Sequence, residues 1–183
     1  MSRPADKKDI DAFFESASQV FAYYSWFVEI SPRLVGTPPG KHERIHFHIT
    51  ENAVAMGFLI NLRRLDEFFH SKKKHSDDVR AYEFGFTTSG GFLSPAQRKE
   101  IDKQIAHPTE VPANPKAKVY FTYALAHQAL VCVLQFIDFI LAGPHPASTD
   151  YGRSIAFTKK QYLAFWSTYT ELVPANERLP IKG

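Results

Sequence analysis

Between Asp9 and Glu29 the apolar residues Ile10, Phe13, Phe14, Ala17, Phe21, Tyr24 and Phe27 recur at intervals of three and four. That spacing lines one face of a helix. The stretch SPRLVGTPPG follows, and its prolines and glycines predict a break from Ser31 onward. From Lys41 to His70 there is no proline and Gly57 is the only glycine, which predicts a helix of about eight turns. Its middle, AVAMGFLINL, is apolar almost all round, so other helices should cover it on several sides.

SKKKHSDD is a polar connection, and VRAYEFGFTTSGGF reads as irregular with a short helix at its start. In SPAQRKEIDKQIAH, Ser94 suits a helix N-cap and Pro95 the first helical position, while Pro108 closes the segment. After the loop HPTEVPANP, a helix is expected from about Lys116 to Ala142, ended by Gly143 and the prolines of GPHP. PASTDYGRS reads as flexible, TKKQYLAFWSTYTELV as a last helix, and residues 174–183 as a Pro-rich tail. No internal repeat or long β-type alternation occurs. The expectation is an all-α chain forming a single bundle of about five helices in one domain, residues 1–183.

Composition supports an ordered interior: 44% of the 183 residues are apolar, and sixteen Phe and eight Tyr are among them. The net charge of +3 permits an anionic partner without requiring one. Cys132, the single cysteine, lies in the apolar run ALVCVLQF, so no disulfide framework forms within the chain and a cytoplasmic setting is expected. The N-terminal residues lack the apolar core of a secretory signal. The most membrane-like stretch, VYFTYALAHQALVCVLQFIDFILAG, is interrupted by His127, Gln128, Gln135 and Asp138. It is expected to be a core helix rather than a span, with no membrane partner.

HERIH, residues 42–46, fits the H-E-x-x-H pattern: His42 and His46 share a helix face and could bind zinc, with Glu43 activating water. A third ligand is missing. In FHITEN, Ile49 and Asn52 stand where the metzincin extension has glycine and histidine. Glu67 is about 30 Å away along a continuous helix, which leaves His107, His127 or Asp138 as the remote candidates. No metal and no cofactor are therefore expected, with zinc as the alternative. Phosphate-loop, dinucleotide, nucleophile-elbow and multi-Cys zinc patterns are all absent from the sequence, and TTSGGF reads as a flexible loop that needs no ligand.

The end of the long second helix, RRLDEFFH, places Arg63 and His70 two turns apart on nearly one face, with Glu67 between them at i,i+4 from Arg63. Arg and His side by side suit metal-free RNA cleavage, in which Arg stabilises the phosphorane and His moves the proton. The plainer reading, and the favoured one, is a charged helix end with a salt bridge. Asp77 and Asp78 are candidate metal or binding residues, but adjacent acids are better explained as helix N-terminal residues. Arg80 and Lys103 could pair with them and make the cluster a structural staple.

The Arg-to-His spacing in RRLDEFFH resembles the Arg, spacer, His pattern of the HEPN superfamily, helical bundles that include many prokaryotic toxin and defence ribonucleases. DKQIAH is similar to that superfamily's R-N-x-x-x-H motif, with Asp102 and Lys103 where Arg and Asn would be and His107 matching the histidine. The resemblance implies a HEPN-like bundle, a homodimer whose subunits bring Arg and His together, and RNA as substrate or partner. The catalytic candidates are then Arg63 or Arg64 with His70 and His107, and Lys103 assists on phosphate. NLRRLDEFF, SDDVRAYEF and IDKQIAHPT also resemble a group of uncharacterised bacterial helical proteins with R-N-L-x-x-F-F, D-D-x-x-A-x-x-F and I-A-H-L-T blocks. That second resemblance spans about residues 58 to 110, with Pro108 replacing a leucine, and bears on fold more than function. Together these readings imply a non-catalytic binding or regulatory module with an RNA or protein partner. A metal-independent RNase is the alternative, and a zinc hydrolase using His42, Glu43 and His46 comes third.

Overall fold

The apolar stripes come together as five α-helices in a computed structural model, which describes residues 7–35, 41–70, 79–87, 91–106, 115–146 and 148–173. They are α1 (Lys7–Val35), α2 (Lys41–Phe68), α3 (Pro95–Ala106), α4 (Pro115–Ala142) and α5 (Asp150–Thr170), with a short 3-10 helix, Ala81–Phe84, between α2 and α3. No strand occurs among the described residues, and the chain is an all-α helical bundle.

Two boundaries differ from the sequence expectation. α1 does not break at Ser31 but runs through Pro32 to Val35. A proline in the last turn forfeits its own backbone bond while its neighbours keep theirs, so the turn survives. α5 begins at Asp150 rather than Thr158, so PASTDYGRS is not a flexible connection throughout. Thr149 caps the helix by accepting from the Gly152 N–H at 3.0 Å. A Cβ on Gly152 would stand 1.9 Å from the Pro146 carbonyl oxygen, so this glycine allows close packing rather than looseness.

The start of α3 follows expectation in detail. Ser94 Oγ accepts from the Gln97 N–H at 3.2 Å and Gln97 Oε1 accepts from the Ser94 N–H at 2.8 Å, a reciprocal capping box. α1 and α2 pack closely where Gly57 faces Tyr23, since a Cβ there would lie 2.6 Å from the tyrosine Cζ.

Two aromatic groups fill the bundle. In the first, Phe136 of α4 packs at ring-centroid distances of 4.9 Å from Phe13, 5.1 Å from Phe68, 5.4 Å from Phe86 and 5.8 Å from Phe84. In the second, Trp166 of α5 stacks on Tyr24 at 5.6 Å and on Tyr123 at 5.2 Å, with His127 beside it at 5.6 Å. The Tyr123–Ala142 segment of α4 is long and apolar enough to cross a membrane, and 56% of its most apolar window is buried inside the bundle. Leu130, Val133, Phe136, Ile137 and Ile140 form its core face. Asp138 is exposed and pairs with Lys159 of α5. The first aromatic group holds the C-terminal end of α2 in place, where the charged residues gather.

Candidate functional site

Leu62 and Leu65 belong to the buried stripe of α2, which Phe69 continues just past its end, and at helical spacing Asp66 falls on the same stripe. Asp66 is fully buried, a position at which a carboxylate requires partners. Its Oδ1 accepts from the Leu93 N–H at 2.9 Å, and Arg98 Nη2 lies 2.7 Å from Oδ2. Arg63 Nη1 stands farther off, at 3.6 Å. Burial pushes the Asp66 carboxyl above the usual carboxylate range, while the Leu93 N–H, Arg98, His70 and Arg63 pull it back.

The loop before α3 closes directly over this carboxylate. A Cβ on Gly91 would be 2.1 Å from Asp66 Oδ1 and 2.9 Å from Arg98 Nη2, so TTSGGF, read as a loop that needs no ligand, has its second glycine packed on a charge. Gly91→Ala should lower stability by about 1–3 kcal/mol, the scale of overpacking in a tight interior. A urea denaturation midpoint unchanged from the parent would contradict this.

Arg63 makes the pair with Glu67 that i,i+4 spacing predicts, Nη1 to Oε1 at 2.9 Å, and its Nε donates to Asp102 Oδ1 of α3 at 3.0 Å. Its guanidinium therefore bridges α2 and α3 and is surrounded by carboxylates. Arg64 points elsewhere: it is exposed and lines a separate cleft of about 160 Å³ with Asp9 and Phe13 of α1. Arg80 is buried, and its guanidinium donates to the Glu67 carbonyl oxygen while its backbone N–H donates to Glu83 Oε2 at 2.9 Å. It thereby ties the last turn of α2 to the 3-10 helix, while the pairing with Asp77 and Asp78 expected for it lies outside the described residues.

His70 follows α2, its N–H donating to the Glu67 carbonyl at 3.1 Å. Its Nε2 is buried and has no hydrogen-bond partner. Burial, helped by the charge of Arg98, holds the imidazole below its ordinary value and outweighs the opposing pull of Asp66. His70 also borders a cavity of about 470 Å³, whose other walls include Leu93, Pro95, Arg98, Lys99 and Asp102.

No family model, curated protein or solved structure matches this chain. The charged cluster and its cavity are thus what the functional reading rests on.

The structure brings together only part of the sequence-predicted set. Arg63 and His70 flank the Asp66 cluster, and Lys103 is exposed on α3. His107, Asp77 and Asp78 lie outside the described residues. His42, Glu43 and His46 lie on α2, with side chains outside the described set. Among the described residues no group of three His, Cys, Asp or Glu could hold a metal ion. His127 is buried against Trp166 and Tyr123 in the second aromatic group. Burial pushes the Cys132 thiol up to about 11, consistent with an inert core thiol.

Three residues of the cluster escaped sequence reasoning: Asp66, Arg98 and Lys99. Asp66 had a usable signal, because an acid in register with Leu62, Leu65 and Phe69 must be buried with a cation. Arg98 and Lys99 had none beyond belonging to a charged helix.

Proposed function

We propose that the chain is a HEPN-like bundle acting as a non-catalytic binding or regulatory module. The observation that supports this reading is the engagement of Arg63, whose guanidinium meets Glu67 at 2.9 Å, Asp102 at 3.0 Å and Asp66 at 3.6 Å. Transition-state stabilisation needs a cation aimed at charge that develops during reaction. A guanidinium already neutralised by carboxylates is poorly suited to that task. A cytoplasmic homodimer with an RNA or protein partner and no cofactor belongs to the same proposal.

One observation favours a metal-independent RNase as the second reading. His70 borders the same cavity as Arg98 and Lys99, residue types able to move a proton and meet phosphate. The zinc reading through His42, Glu43 and His46 has no support from the described residues.

The decisive assay is cleavage of single-stranded RNA in EDTA by untagged protein. Wild type, His70→Ala and His107→Ala should all be inactive. Cleavage by wild type that either substitution abolishes would overturn the non-catalytic reading in favour of the RNase.

A further inference from the structure

We infer that the exposed face of α2 between Ile49 and Ile60 docks the same face of a second copy of this chain, with the two helices antiparallel. The inference assigns a surface to the homodimer of the binding-module reading and rests on that part of it.

α2 keeps its core positions on one side, where Phe58, Leu62 and Leu65 are buried. On the opposite side Ile49, Ala53, Met56 and Ile60 follow at intervals of four, three and four, which puts all four on one stripe. Ile49 is 61% exposed and Ile60 39%, Ala53 is exposed and Met56 is half-buried. A solvated helix face ordinarily carries polar and charged side chains. This one is apolar along roughly 16 Å of helix. Phe157 on α5, another exposed apolar side chain, differs in standing among the exposed Arg153, Lys160 and Gln161.

The spacing says what the stripe can receive. Alternation of threes and fours is the seam that another helix fills, its side chains set into the gaps. A second copy supplies that helix in matching order. With a two-fold axis midway between Ala53 and Met56, Ile49 faces Ile60 of the second copy and Ala53 faces its Met56, so a small side chain meets a long one at the centre.

Charge chooses the direction of the pair. Arg64, beside the C-terminal end of the stripe, is exposed and makes no ion pair among the described residues. In the antiparallel register the position at its level is Glu43 of the second copy, so an acid is set against a cation at each end of the seam. The flanking positions between, Thr50 with Gly57 and Asn52 with Leu59, carry no charge. A parallel pair would instead bring Arg64 beside Arg64, which repels. The seam is short, at the low end of specific interfaces, so association should be half complete at roughly 10–100 µM chain.

The test is sedimentation velocity of the untagged full chain across that range, in EDTA so that histidines cannot be bridged by metal. Wild type should pass from monomer to dimer. Ile49→Glu should weaken association roughly tenfold or more by carrying a carboxylate into the seam, and Ala53→Glu should do the same. Phe157→Glu, an equally exposed change away from the stripe, should leave association unchanged. Arg64→Glu and Glu43→Arg should each weaken it, and the two together should restore it. Circular dichroism checks that each variant is folded. A chain that is monomeric at every concentration overturns the inference and leaves the stripe to a different protein. Association that survives both Ile49→Glu and Ala53→Glu, or that the paired charge exchange fails to restore, overturns it too. Survival of those two variants retires this face and keeps the homodimer, and the non-catalytic reading is decided separately by RNA cleavage.

Discussion

Asp66→Ala should destabilise the fold by about 3–5 kcal/mol, the scale of removing one partner from a buried ion pair. The carboxylate is fully buried, so its loss strands the Leu93 N–H that donates to it at 2.9 Å and the Arg98 guanidinium at 2.7 Å. It also empties the space over which Gly91 closes, loosening the loop that feeds α3. Asp66→Asn should lose less, because its amide oxygen can still accept from Leu93 while the charge opposite Arg98 is gone. Urea denaturation monitored by circular dichroism measures both. Equal losses for Ala and Asn would mean that the ion pair alone matters and the Leu93 hydrogen bond contributes nothing.

Phe136→Ala should lower stability by about 3–5 kcal/mol, the range for truncating a buried aromatic. The side chain is fully buried and meets rings from α1, α2, the 3-10 region and α4 itself, including Phe13, Phe68 and Phe86. Phe68 and Phe69 are the residues immediately before His70, so the cavity left by Phe136→Ala lies under the charged cluster. Phe136→Leu should recover a substantial part of the loss by refilling volume without the edge-to-face contacts. A change in denaturation midpoint of the size seen for a surface alanine substitution would show that the aromatic group is not the keystone of this end of the bundle.

The helical framework was legible in the sequence where the pattern itself was periodic. The three-and-four spacing of α1, the Pro-free run of α2 and the Ser94–Pro95 start of α3 all carry their physics locally. The ends that differ do so because proline and glycine were read as punctuation. Pro32 sits in a last turn that survives the loss of one bond, and Gly152 is required by the nearby Pro146 carbonyl rather than by a loose chain. Within the cluster, Arg63–Glu67 could be read from i,i+4 spacing. Arg63–Asp102 and Asp66–Arg98 could not, because they join α2 to α3 through tertiary packing. The same reason places Lys99 on the cavity wall, whereas the sequence directed attention to Lys103 one turn later.

A double-mutant cycle between Asp66 and Arg98 tests most directly whether these charges hold the fold. Asp66→Leu and Arg98→Leu are measured singly and together by urea denaturation. The account predicts that each single change is strongly destabilising and that the double variant loses much less than their sum, with a coupling of roughly 1–3 kcal/mol. Strictly additive losses would contradict it and show that the Asp66–Arg98 pair does not hold the end of α2 against α3.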